Sequence, residues 1–315
     1  MKKLHKNLQL NFFQFFSKLQ VTMMPIEIDE EEQRVNAELS EKLIQRPRTS
    51  RRVGLLRLDY TFSVVVPCLI AIYFNNYRIA NHMDIIIGFI FYAITGNTLN
   101  DMIDARDPDD KETRIRIQGF HWKEISVVAL MGFLFGSMFF IRTVIENWQN
   151  GLILGIIISL VVIYCFKKEI PIINQILLGV SHVFLPYLMM KIDAGADPLI
   201  NSQEWFMMFN FFCYAFSGQI VHEIIDGDAI TRFSYKTQQW TVIISSSLTI
   251  VFGVLAIVVM EDIYLIPFAF IPVGAIYTFR KPTKSTKGVK DVGIILGNII
   301  MFYLLFLIVQ NNLLS

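Results

Sequence analysis

Nine apolar stretches, each close to the length that crosses a bilayer, divide this chain from residue 54 onward. A hydrocarbon core about 30 Å thick takes about 20 apolar helical residues to span. Backbone N–H and C=O groups find no water there, so a spanning segment must satisfy them internally, as a helix does. The stretches run over 54–74, 84–103, 124–141, 150–166, 172–190, 205–225, 239–260, 262–279 and 291–313. Only a short polar turn containing Glu261 and Asp262 parts the seventh from the eighth. The expected fold is all-α: a polytopic membrane protein of about nine transmembrane helices. Of the 315 residues 54% are hydrophobic, which suits a chain whose solvent is mostly lipid. A net charge of +1 provides no electrostatic footprint for nucleic acid.

The basic residues orient these spans. Residues 1–57 carry eleven of the 28 Lys and Arg residues, the even-numbered loops carry 14, and the odd-numbered loops carry 3. Cytoplasmic loops collect Lys and Arg, so the N-terminus and even loops are expected in the cytoplasm and the C-terminus outside. Residues 1–50 read as a separate polar and amphipathic segment, and 51–315 as the membrane domain. The stretch "LQLNFFQFFSKL" suits either a membrane surface or a loose tail. No small-residue cleavage site follows an apolar core, so this segment does not read as a signal peptide. Cys68, Cys165 and Cys213 lie far apart in apolar segments without CxxC spacing, and read as small buried hydrophobes.

Against this background, two groups of carboxylates are out of place. The second span runs directly into "NDMIDARDPDD", residues 100–110. Asp101 and Asp104 are three apart and share a helix face, and Asp107 continues the stripe. Pro108 disfavours helix at Asp107 and ends the helix near Arg106. The C-terminal end of a helix already carries partial negative charge, so anions there are unfavourable. Charge repulsion one turn apart and the cost of a charge at the bilayer edge add to this. A bound divalent cation relieves all three. The sixth span ends in "SGQIVHEIIDGDAITR", residues 217–232, with Glu223 and Asp226 again three apart and Asp228 after Gly227. One acidic cluster after a span is ordinarily a solvated loop. Two clusters rising from apolar helices on the same side point to a shared polyvalent-cation site, although His222 by itself reads as an interhelical histidine. Arg114 and Arg116 follow the first cluster, Lys167 and Lys168 cap the fourth span, and Arg232 and Lys236 follow the second cluster. Carboxylates that hold Mg²⁺ beside Arg and Lys form a site suited to a diphosphate.

These motifs resemble the UbiA superfamily of intramembrane prenyltransferases. "NDMIDARD" resembles the first aspartate-rich motif of that family, and "TRIRIQGFHWKE" the basic stretch and Gly turn after it. "HEIIDGD" with Lys236 and Thr237 resembles the second motif. The resemblance covers about residues 50–313 and departs at two places. Pro108 stands where the first motif ends in Asp, flanked by Asp107 and Asp109. Ile230 stands where the second ends in an acid, with Asp228 nearest.

The resemblance implies a bundle around a central cavity open to the bilayer. Mg²⁺ would be held by Asp101, Asp104 and Asp107 from the first motif and Glu223, Asp226 and Asp228 from the second. Asp101, Asp104 and Asp226 would be catalytic, and Asn100, Arg114, Arg116, Lys168, Arg232 and Lys236 would bind diphosphate. The implied substrates are a polyprenyl diphosphate and a small acceptor, most commonly an aromatic quinone precursor. Three rivals remain at this stage: a membrane terpene cyclase of the same fold, a secondary transporter, and an inert relative kept as a scaffold. Oligomeric state is not legible.

Overall fold

Among the described residues the regular structure is entirely helical, as backbone in lipid requires. The computed structural model describes residues 54–105, 111–117, 120–166, 170–227, 229–280 and 287–314. The expected N-terminal segment lies outside this set. The α-helices in chain order are α1 (Phe62–Asn75), α2 (Met83–Asp104), α3 (Lys111–Ile117), α4 (Trp122–Glu146), α5 (Trp148–Phe166), α6 (Ile173–Gly179), α7 (Leu185–Asp193), α8 (Glu204–Asp226), α9 (Tyr235–Met260), α10 (Ile266–Phe270), α11 (Val273–Arg280) and α12 (Lys287–Leu314). A π-helical turn, Val180–Phe184, joins α6 to α7 into one span.

Eight of these spans are long and apolar enough to cross a membrane, and they coincide with eight of the nine expected stretches. The remaining one, α8, has 23 residues, a length of about 35 Å at 1.5 Å per residue. It falls short in apolarity because it carries Asn210, Ser217, Gln219, His222 and Glu223 between its acidic ends. Those polar residues face other helices or the interior: Asn210 donates to the Thr249 carbonyl of α9 at 2.7 Å, and Ser217 bonds Ser246 of α9 at 2.7 Å.

The spans divide into interior and peripheral ones. Nine consecutive residues of α1, Val64–Ile72, are buried, and a helix buried all round lies at the centre of its bundle. α4 presents Val127, Leu130, Leu134, Met138, Ile141 and Ile145 outward, a lipid-facing stripe at helical spacing. Small residues let neighbouring helices close up. A Cβ on Gly253 of α9 would stand 2.6 Å from the Ala269 Cα of α10, and one on Gly297 of α12 would stand 2.3 Å from the Phe62 ring of α1.

At the end of the bundle away from the acidic motifs, buried charges tie the helices together. The Lys191 ammonium of α7 donates to Glu204 of α8 at 2.8 Å and to the Asn75 amide oxygen of α1 at 2.7 Å. Glu204 also accepts from Asn75 Nδ2 at 3.0 Å and from the Asn201 N–H at 2.8 Å. Asp193 lies 2.6 Å from His82, accepts from Thr143, and takes Arg142 of α4 at 3.2 Å.

Lys191 is 1% exposed and Glu204 3%, so removing one partner strands the other charge out of water. Glu204→Ala is expected to cost about 3–5 kcal/mol, the range for breaking a buried pair, read as a large fall in the unfolding temperature of the detergent-solubilised protein. Replacing both by apolar residues (Lys191→Met with Glu204→Leu) is expected to recover much of that loss.

Candidate active site

The two acidic motifs meet at one cavity. Gly227 adopts the left-handed conformation (φ 83°) and donates its N–H to the Glu223 carbonyl at 3.0 Å, so α8 stops directly after Asp226. Glycine is the residue that adopts this cap without a Cβ penalty. α2 ends at Asp104, where the Ala105 N–H reaches the Asp101 carbonyl at 3.0 Å, two residues before the Arg106 boundary expected from Pro108. Each helix therefore delivers its last carboxylate to the rim of a cavity of about 1170 Å³ that runs into the bundle. Asn100 and Asp104 of α2, Arg116 of α3, and His222 and Asp226 of α8 line it, with Arg232 and Lys290 of α12. Deeper walls are apolar or uncharged, with Phe89 and Tyr92 of α2, Tyr164 of α5, His182 of the π turn, and Tyr214 and Gln219 of α8.

The carboxylates differ in what they face. Asp101 is fully buried. Arg116 grips it with two bonds of 3.0 Å, from Nε to Oδ2 and from Nη2 to Oδ1, and Arg57 Nη1 approaches Oδ1 at 3.4 Å. This bidentate fork is the geometry that suits guanidinium to carboxylate. Asp101 therefore lies behind the cavity wall rather than on it, as an anchor for α3 and for the segment before α1. Arg57 also stacks over the Tyr60 ring at 4.2 Å. Asp104 faces the cavity and accepts from Asn100 Nδ2 at 2.6 Å. That bond leaves Asn100 Oδ1 buried without a hydrogen-bond partner. Across the cavity, Asp226 lies 2.7 Å from His222 Nδ1 and accepts from Lys290 Nζ at 3.0 and 3.1 Å.

Of the residues singled out from the sequence, the cavity gathers Asn100, Asp104, Arg116, Asp226 and Arg232. Glu223 is buried and off the cavity wall, while Arg114 and Lys236 are exposed away from it. Asp107, Lys168 and Asp228 lie outside the described residues. Sequence reasoning passed over Arg57, Tyr60, Lys290 and His182. Lys290 counted only as one of five basic residues in its loop, and its pairing with Asp226 across 64 positions has no sequence signal. Arg57 falls at the N-terminal end of the first expected span, where it reads only as a flanking charge.

The oxygen donors on the rim fit a hard divalent cation in kind. An orphaned amide oxygen at Asn100 and a carboxylate on each of two helices, Asp104 and Asp226, are the ligand types that Mg²⁺ takes. Among the described residues, no three His, Cys, Asp or Glu side chains come together as a chelating group. Magnesium commonly takes one or two carboxylates and completes its shell with water and substrate phosphate.

No family model matches this chain, and no curated protein matches it. Among solved structures, the chain is similar to that of a digeranylgeranylglyceryl phosphate synthase of membranes. The TM-score is 0.55 at 17% identity, over 83% of this chain and 99% of that one. At that identity the likeness establishes the fold, a polytopic membrane bundle of helices.

The Asp101 pair generates a stability prediction. Arg116→Met leaves a fully buried carboxylate with Arg57 alone. The expected loss is about 3 kcal/mol, at the low end for breaking a buried pair because Arg57 remains. Adding Asp101→Asn to that variant is expected to return most of the loss in thermal unfolding. Arg116→Lys, which keeps the charge but not the fork, is expected to lie between the two.

Proposed function

We propose that this protein is a prenyltransferase of the UbiA type, transferring a polyprenyl group from an allylic diphosphate to a small acceptor within the membrane. The observation that carries this reading is the cavity itself. Its rim holds a carboxylate from each of two helices interleaved with Arg116, Arg232 and Lys290, and its walls behind the rim are largely apolar and aromatic. A diphosphate needs the first environment and an isoprenoid chain needs the second. The motif order in the sequence and the bundle shared with a digeranylgeranylglyceryl phosphate synthase both support it.

In this reading Asn100, Asp104 and Asp226 would hold Mg²⁺, whose charge would offset the negative charge on the departing diphosphate. Arg116 and Arg232 add charge-assisted hydrogen bonds to the diphosphate oxygens. Lys290 neutralises Asp226 at rest and turns to the phosphate when substrate arrives. Asp101 acts through Arg116, holding that guanidinium at the rim. The allylic cation left by ionisation sits among Phe89, Tyr92 and Tyr214, whose ring faces attract positive charge. An acceptor then donates an electron pair to the allylic carbon. A quinone-type aromatic acceptor is the commonest role among proteins of this type and is proposed for this chain on that ground. By the distribution of basic residues the rim faces the cytoplasm.

The test is Mg²⁺-dependent release of pyrophosphate from allylic diphosphates of graded chain length by the purified full chain. Asp104→Asn and Asp226→Asn are each expected to lower that release by about 100-fold or more, the scale of losing one stabilising group of the transition state, with unfolding temperature little changed. Chelating Mg²⁺ with EDTA is expected to abolish it. A folded wild-type protein that releases no pyrophosphate at any chain length overturns the reading.

A further inference from the structure

We infer that His182 is the proton acceptor of the transfer step, taking the proton that the acceptor's attacking group loses. The inference rests on the reading above. It is carried by a local irregularity of the fold. Pro186 has no N–H, so the carbonyl four residues earlier, that of His182, has no donor at its usual helical position. The backbone there winds into the π turn Val180–Phe184, a distortion that re-aims side chains and often marks a functional position. Gly179, just before the turn, lets α8 approach so closely that a Cβ there would stand 2.6 Å from the Phe212 ring. The turn is thereby pressed against the cavity, and both Ser181 and His182 line it.

Hydrogen bonding to Ser181 bears on which ring nitrogen is basic. The Ser181 hydroxyl donates to the Leu178 carbonyl at 3.3 Å, and the same oxygen lies 2.9 Å from His182 Nδ1. With the hydroxyl donating to the carbonyl, Nδ1–H donates to the serine oxygen; with the hydroxyl donating to Nδ1, the ring proton sits on Nε2. Nε2 carries the lone pair in the first of these arrangements, the one a proton acceptor on the cavity wall needs. No carboxylate touches the ring among the described residues. The titratable and charged groups on the walls packed against it are Tyr164 and Cys165 of α5 and Tyr214, His222 and Asp226 of α8; α1 contributes none. By its place in the span, His182 stands nine residues in from Ile173, about 13 Å at the helical rise, deeper than the rim that holds the diphosphate.

The step balances. The allylic C–O bond breaks and its electron pair leaves with the diphosphate. The acceptor's oxygen or ring carbon forms the new bond to the allylic carbon, and the proton that this atom or its hydroxyl releases goes to His182 Nε2. From there it passes to water or to the departing diphosphate.

The experiment uses the full chain in lipid nanodiscs with Mg²⁺ and geranylgeranyl diphosphate. A phenolic carboxylic acid and a glyceryl phosphate alcohol serve as probe acceptors, with water present as acceptor throughout. Pyrophosphate release and prenylated products are measured from pH 3.5 to 9, and binding of a non-ionising thiodiphosphate analogue is measured separately. His182→Gln and His182→Ala are expected to bind the analogue within twofold of wild type. Their transfer is expected to fall about 100-fold, the lower end of what a positioned base contributes. The acid limb of the wild-type profile should vanish in His182→Gln. Ser181→Ala, which frees the ring without removing it, is expected to lose several-fold and keep that limb. Transfer within threefold of wild type in His182→Gln, or persistence of its acid limb, overturns the inference alone. A wild-type protein that binds the analogue yet releases no pyrophosphate with any acceptor overturns the prenyltransferase reading, and this inference with it.

Discussion

Carboxylates at the end of an apolar helix must be neutralised, and this molecule is organised around how that is done. Asp101 recruits Arg116 from α3 and Arg57 from before α1, and Asp226 recruits Lys290 from the start of α12 and His222 from its own helix. These pairs join elements separated by up to 64 residues of chain. They also fix the shape of the rim, because each cation that satisfies an acid is held where a diphosphate would need it. A buried ion pair contributes little net stability against an apolar substitute but is costly to break from one side. Its value here lies in position.

The opposite end of the bundle uses the same device for a different result. Lys191, Glu204 and Asn75 satisfy one another, as do His82, Asp193, Thr143 and Arg142. These groups face one another rather than a cavity, so they lock helices together. The contrast separates a structural network from a candidate site more clearly than charge content does. Both ends are rich in ionisable residues, and at the acidic-motif end a buried amide oxygen, that of Asn100, stands unpaired beside a large cavity that Asn100 lines.

Within the cavity, departures from regular helix fall where chemistry is proposed. Gly227 ends α8 one residue after Asp226, and the π turn before Pro186 presents Ser181 and His182 to the cavity. Regular spans supply rigid walls, and the interruptions aim individual side chains. Such local backbone compromises cost stability and persist where the surrounding packing enforces them, here the contact of Gly179 with Phe212.

The sequence by itself determined the helical class, the membrane setting, and eight spans to within a few residues, because apolar length and backbone satisfaction in lipid are local properties. It also marked Asp104 and Asp226, since anions at the end of an apolar helix are locally unfavourable and therefore conspicuous, and Asn100 through the motif it shares with them. It overstated the apolarity of α8, whose polar residues are absorbed by helices that a linear pattern does not reveal. Only the tertiary structure decided which spans are interior: α1 and α4 are both apolar, yet one is central and the other faces lipid. It alone separated Asp104, which faces the cavity, from Asp101, which Arg116 holds behind the wall, although the two are one turn apart. It alone brought Lys290 to Asp226 and turned His182 inward. Those outcomes depend on which distant groups pack together, and hydropathy and spacing along one chain carry no record of that.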